Sequence, residues 1–217
     1  MSSTAHLVLA KAAWIDGHRL RLRNAHEDDA AFIFGLRHDP ARNRHMSPTS
    51  PELEDQRQWL ARYAADQAQA YFIIETLQSP TPGAPNASDD HAVPGDAPAT
   101  ASEARRTSVG TVRLYDAQGD SFCWGSWMLM PGAPPFAAIE SALMVYAYAL
   151  GLGFKAAHFD VQEDNAAVRR FHENFGAVRT GQVRDQIQYT LSHERILASL
   201  QRYRRFLPDG IRLGPGA

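Results

Sequence analysis

The chain has 217 residues, 44% of them hydrophobic and 21% charged, with a formal net charge of -2, the proportions of a globular protein with room for one well-buried domain. That balance gives no electrostatic case for a nucleic-acid partner, and no segment is apolar for long enough to cross a membrane. Cys123 is the only cysteine and the 9 histidines are scattered, which excludes an intrachain disulfide and a Cys-based zinc cluster, gives no metal site, and fits a reducing cytoplasmic setting.

Met1 to Lys11 holds a short apolar patch at Leu7 to Ala10 without a basic n-region or a long hydrophobic core, so a signal peptide is not expected. Leu20 to Arg23 alternates apolar and basic residues as an edge strand does. Asn24 with Glu27 suggests a capping box ahead of a helix over 28–37, with Phe32, Ile33 and Leu36 as its buried stripe. Ser50 as cap and Pro51 at the first helical position announce a second helix, with Trp59, Leu60 and Tyr63 at helical spacing. Tyr71 to Thr76 reads as a strand.

From 78 to 106 the character changes to Pro, Ala, Ser, Asp and Gly, with few large apolar residues and no period. A disordered insertion between paired strands is the expectation. Val109 to Tyr115 and Phe122 to Met130 flank a turn at 116–120 and predict a hairpin. Gly125 within its second strand suggests a bulge or a close approach by another backbone. Strict alternation there sets Trp124 and Ser126 on one face and Cys123 and Trp127 on the other.

Pro134 and Pro135 introduce a helix with Phe136, Ile139, Leu143, Ala147 and Leu150 along one face, ended by Gly151 and Gly153. His158 to Val161 is the next strand, then a short helix capped by Asp164 or Asn165 and stopped by Gly176. His172 lies two turns beyond Asn165, so the two side chains fall on nearly the same face. Gln186 to Leu191 is a further strand. An amphipathic basic helix over 192–207 carries Ile196, Leu200, Tyr203 and Leu207 on one stripe; arginines near its end favour the macrodipole, and a homodimer contact is the other reading of that helix.

The strand, Asn165, short helix and terminal Gly176 resemble the C-terminal half of the GNAT superfamily of acyl-CoA-dependent N-acyltransferases, and the resemblance runs from Arg19 to Leu191. It implies an α/β fold: a mixed, mainly antiparallel sheet with helices on both faces, in a single domain over 1–191 followed by a C-terminal helix and tail over 192–217. It also implies acetyl-CoA as co-substrate and an acetyl group moved to the primary amine of a small acceptor, possible members of that class including amino sugars. A protein N-terminal acetyltransferase and a non-catalytic CoA-binding relative remain alternatives.

By the same resemblance Met128, Leu129 and Met130 offer backbone groups to the pantetheine arm, joined by Asn165 and Phe171. Gly132, Ala133, Phe136 and Ala137 supply amides to the pyrophosphate at the start of the helix. Only Gly132 remains of the glycine-rich pattern usual there, and Pro134 and Pro135 have no N–H to give. His172 stands where a proton-donating Tyr is common and is expected as an acid or a hydrogen-bonding anchor. Arg42, Arg44 and His45 fall in the region that shapes the acceptor pocket and point to an anionic acceptor, with Trp127 as a ring that lines the cleft. Glu75, Glu140 and Asp160 are candidates for the base, a role the sequence leaves open.

Overall fold

In the computed structural model, which describes residues 7–40, 43–77 and 106–214, nine strands form one sheet in the order β7-β8-β6-β5-β4-β3-β2-β1-β9. These are β1 Trp14–Asp16, β2 Leu20–Asn24, β3 Ala70–Leu77, β4 Arg106–Gln118, β5 Ser121–Leu129, β6 Ala156–Gln162, β7 Val178–Val183, β8 Gln186–Leu191 and β9 Arg212–Leu213. The helices are α1 Ala30–His38, α2 Leu53–Ala65, α3 Ala137–Gly151, α4 Ala166–Asn174 and α5 His193–Arg202. Every neighbouring pair is antiparallel except β5 and β6. The expected mixed, mainly antiparallel sheet is therefore present.

Alternation along β3 shows how the two faces are filled. Ala70, Phe72 and Ile74 join the core under α3 and α5, whereas Tyr71 and Ile73 pack with Ile33 of α1 and with Leu60 and Tyr63 of α2. Helices thus cover both faces. Ile196 and Leu207 belong to the larger core and β9 pairs with β1, so the C-terminal segment is built into the same unit as the rest.

Helix α3 corrects the expectation of a single apolar stripe. Leu143 is buried, but Phe136, Ile139, Ala147 and Leu150 are only partly covered, while every residue from Glu140 to Tyr146 is buried. The helix lies between the sheet on one side and α5 with the N-terminal segment on the other, where the Tyr148 hydroxyl donates to the Ala10 carbonyl at 2.5 Å. Such a helix is apolar all round.

Other boundaries differ from the sequence reading for local reasons. Ser50 does not cap α2 at Pro51; its hydroxyl accepts from the Glu52 N–H at 3.2 Å and the helix starts at Leu53. The reciprocal cap ahead of α1 is made by the His26 N–H to Asp29 at 2.9 Å, because Asn24 instead accepts from the Tyr63 hydroxyl at 2.6 Å. The hairpin turn tightens to Gly119 and Asp120, with Gln118 paired to Ser121. Strands β1, β7 and β9 carry no alternating signal; β7 is exposed along its length except at Gly181, and β1 and β9 are very short. Gly176, at φ 92°, ends α4 as expected. The expected insertion over 78–106 lies outside the described residues apart from Arg106, which pairs with Leu77.

Candidate active site

Strands β5 and β6 run side by side only from Ser121 to Cys123 against Ala156 to His158, and beyond that they part. The parting follows from a bulge in β5. Thr111 pairs with Met128 and Arg113 with Gly125, so β5 carries one residue more than β4 between those pairs. Ser126 holds a left-handed φ of 44°, which costs a non-glycine residue about 1–3 kcal/mol. The buried Thr111 hydroxyl donates to the Ser126 carbonyl at 2.8 Å and fixes it there. Gly110 permits the close crossing, since a Cβ on it would meet the Met128 carbonyl oxygen at 2.2 Å.

The bulge also overturns the expected alternation of the aromatic strand. Trp124 and Trp127 turn toward the same side, their rings 5.4 Å apart, and both contact His172. The bulge expected near Gly125 is real, and its effect on phase is what simple alternation could not supply.

Through the parting runs a cleft of about 780 Å³ that reaches both faces of the sheet. On the α4 side it is lined by Trp124, Trp127, Phe159, Asn165 and His172; on the opposite side by Arg37, His45, Arg113, His158 and Asp160. A second pocket of about 470 Å³, between α2 and the sheet, shares Arg37, Ser47, Arg113 and Ser126 with it.

Asn165 is the N-cap of α4, its side chain accepting from the Val168 N–H at 3.3 Å, which is why a strand end and a helix start bring this amide to the cleft. His172 is 5% exposed, its ring 4.2 Å from Phe159 and 5.2 Å from Trp124, and its Nδ1 is sealed without a partner. Burial in this aromatic nest pushes its pKa down to about 3. Burial therefore disfavours the imidazolium, which favours the hydrogen-bonding anchor over the acid among the two expected roles. The Trp127 indole donates to Ser141 at 3.1 Å and stacks toward Phe171. Phe171 itself packs on Trp127 and Phe175 and does not line the cleft.

The loop from β5 to α3 matches its expectation in part. Met128 is buried, Met130 is exposed, and the Met130 N–H is committed to the Val109 carbonyl. The Ala133 and Ala137 amides likewise turn back to Met130 and Pro134, whereas those of Gly132, Phe136, Ala138 and Ile139 bond to no group among the described residues. Gly132 sits at φ 78° in open space. Free amides at the start of a 15-residue helix suit a pyrophosphate despite the two prolines, and the Arg19 guanidinium lies 3.8 Å over the adjacent Phe136 ring.

The base candidates sort themselves by partner. Glu140 is fully buried and accepts from the N–H groups of Arg19 at 2.6 Å and Leu20 at 2.9 Å, which makes it a structural brace of α3 against β2. Glu75 pairs with Arg23 at 2.9 Å. Asp160 is exposed and lines the cleft. Sequence reasoning missed His158, whose ring is held between Ser121 at 2.8 Å and Asp116 at 3.2 Å, and it missed Arg37 and Arg113. For the strand residues the one available signal was parity: Tyr115, Cys123 and His158 fall in register across β4, β5 and β6, and Arg113, two residues before Tyr115, shares their face.

The structure divides the predicted acceptor cluster. Arg44 pairs with Asp164 at 2.8 Å and His45 reaches Gln162 at 2.9 Å, so together they clasp the α1–α2 connection to the end of β6. Arg44 is thereby paired and lines neither the through-sheet cleft nor the 470 Å³ pocket, but a separate hollow with Gln162, Glu163, Asp164 and Asp185, while His45 lines the through-sheet cleft. Arg42 lies outside the described residues. Among the described residues no cluster of His, Cys, Asp or Glu has metal-binding geometry, and no helix is long and apolar enough to cross a membrane.

Solved structures with this arrangement include FdhC, described as a nucleotide-linked sugar GNAT, at 31% identity and a TM-score of 0.69 over 88% of this chain and 97% of that one. A probable GNAT-family acetyltransferase from Chromobacterium violaceum aligns at 16% identity and TM-score 0.64, covering 86% of this chain and 89% of its own. The spermidine/spermine N-acetyltransferase SpeG from Vibrio cholerae aligns at 15% and 0.60, covering 83% and 97%; these two show the fold alone. No curated protein sequence matches. The family model described as an acetyltransferase (GNAT) domain matches residues 19–178, a span that includes the strands whose parting opens the cleft, and the chain belongs to the GNAT superfamily of acetyltransferases.

Proposed function

We propose that the protein transfers an acetyl group from acetyl-CoA to the primary amine of a small acceptor, and that the acceptor is an amino sugar. The observation that carries this reading is the cleft through the β5/β6 parting, which gives two reactants access to one point from opposite faces of the sheet. On the α4 side, Asn165 and the free amides ahead of α3 suit the pantetheine and pyrophosphate of the acetyl donor, which supplies the activated thioester when bound. On the other side, the acidic edge of Asp116 and Asp160 attracts an ammonium group and, through water, takes its proton.

His172, neutral in its nest, orients a reacting group by hydrogen bonding. The balance is simple: the ammonium gives one proton to solvent by way of the acidic edge, the amine nitrogen then forms the bond to the acetyl carbon as the carbon–sulfur bond breaks, and the second proton lost by nitrogen is gained by sulfur. The sugar class rests on FdhC, described as a nucleotide-linked sugar GNAT, as a relative at 31% identity, and on the Tyr115 and Trp59 rings beside Arg113 on the acceptor side, which suit the apolar face of a pyranose. A cytoplasmic site of action fits the single buried, unpaired Cys123.

Thiol release from acetyl-CoA, followed across amino sugars, polyamines and peptides with free N-termini, tests this. The proposal expects turnover on the amino sugars. Turnover confined to peptides, or saturable coenzyme A binding with no turnover on any amine, would overturn it.

A further inference from the structure

The arginines of β2 and the turn before it are paired to carboxylates. Arg19 meets Glu140, Arg21 meets Asp16 at 2.5 Å, and Arg23 meets both Asp29 and Glu75. Arg37 and Arg113 have no such partner among the described residues. The Nε of each is sealed from solvent without a hydrogen bond, and among the described residues Arg37 bonds only from Nη2 to the Ser47 carbonyl at 3.1 Å. Arg113 lies 5.2 Å from the Trp59 ring centre and 4.8 Å from that of Tyr115.

Both guanidinium groups stand in the wall shared by the through-sheet cleft and the 470 Å³ pocket. Burial is the main reason that the Arg113 pKa is drawn down, and the nearby Arg37 charge adds a little to it. Holding two like charges in a half-buried wall with no ion-pair partner among the described residues is costly, and the Trp59 and Tyr115 ring faces beside Arg113 offset it only in part. The smaller pocket adds Arg62 and only one carboxylate, Asp55, which already accepts from the Ser50 hydroxyl. The larger cleft has its acids, Asp116 and Asp160, along with His158. The acceptor side is therefore polarised, cationic at the Arg37/Arg113 wall and acidic toward the parting.

We infer that Arg37 and Arg113 form a subsite for an oxyanion carried by the acceptor, a phosphate or a carboxylate, so that the substrate is an anionic amine whose acid group seats against these two arginines while its amine points into the parting. Forked guanidinium groups suit either oxyanion in bidentate geometry. This rests on the proposed acetyl transfer for the amine, but not for the anion site itself.

The test has two arms. In the first, inorganic phosphate, pyrophosphate and malonate are titrated against wild type, Arg37→Met and Arg113→Met, with thermal unfolding as the readout. At least one anion is expected to stabilise wild type saturably, with at least a tenfold weaker apparent affinity in Arg113→Met and in Arg37→Met. Phosphates acting in preference to malonate would identify a phosphorylated acceptor, and the reverse a carboxylated one. Absence of saturable stabilisation, or stabilisation that survives in both variants and so belongs elsewhere, overturns the inference. Arg113→Lys, which keeps the charge and loses the fork, replaces Arg113→Met if that variant does not fold, and the same loss of affinity is expected.

In the second arm, acetyl transfer is compared between glucosamine and glucosamine 6-phosphate, and between glucosamine and its 6-carboxylate counterpart. A KM at least tenfold lower for an anionic sugar, lost in Arg113→Met, supports the subsite, and equal KM values for neutral and anionic sugars overturn it. Anion binding that depends on both arginines but occurs without transfer to any amine would sink the acetyltransferase reading alone.

Discussion

Replacing His172 by Phe gives a direct reading of the charge state on which its role depends. The ring is 5% exposed and lies against Phe159, Trp124 and Trp127, so a phenyl group fits the same nest without a proton to gain. With a folded pKa of about 3 against an ordinary value of 6.5, the unfolded chain binds a proton below pH 6.5 that the folded chain refuses. Stability supplied by the neutral ring is thus complete above pH 6.5 and is lost as pH falls toward 3, at about 1.4 kcal/mol per pH unit. Between about pH 7.5 and about pH 5 the wild type should lose ~2 kcal/mol more than His172→Phe. For a chain of this size that difference is about 4–8 °C in Tm.

Urea unfolding of both proteins at the two pH values measures it, because the other titrating groups are common to both and cancel. Parallel losses would show that His172 takes up a proton in the folded protein. That would reinstate the imidazolium acid and refute the account of the nest.

Three other substitutions probe separate parts of the account. Glu140→Gln should lower stability by about 1–3 kcal/mol by weakening the acceptor of two backbone N–H groups, while turnover per folded molecule stays near wild type; a large fall in kcat with unchanged stability would make Glu140 a base. Gly110→Ala should cost about 1–3 kcal/mol in denaturant unfolding, since its Cβ would strike the Met128 carbonyl oxygen across β4 and β5; a neutral substitution would contradict the close crossing. Arg44→Ala should change stability by less than about 1 kcal/mol, because its bond to Asp164 is exposed on both sides. A greater loss in urea unfolding would mean that the clasp holds more than itself.

The sequence exposed elements whose burial is one-sided and whose ends carry local signals. Asn165 and Gly176 bound α4 because a cap and a left-handed glycine are chemistry of single residues. The aromatic strand resisted because its phase depends on the Ser126 bulge, and that bulge is held by Thr111 from a different strand. Helix α3 reads as one apolar stripe because periodicity does not reveal that it is covered on nearly every side, and β7 gives no signal because it is solvated. At the site, Asn165, His172, Trp127 and His45 were legible from their neighbours in the chain. Arg37 and Arg113 were not, because a cationic wall arises only when α1 is laid across β4, and in sequence each is one arginine among many.

The claim at the centre is that the parting of β5 and β6 is where the acetyl group changes hands. A crystal structure with coenzyme A bound tests it most directly. The account predicts the pyrophosphate at the amides ahead of α3 and the sulfur in the parting, between Trp124 to Trp127 of β5 and Phe159 to Val161 of β6. Coenzyme A bound with its sulfur outside the parting, or anchored away from the start of α3, would contradict it.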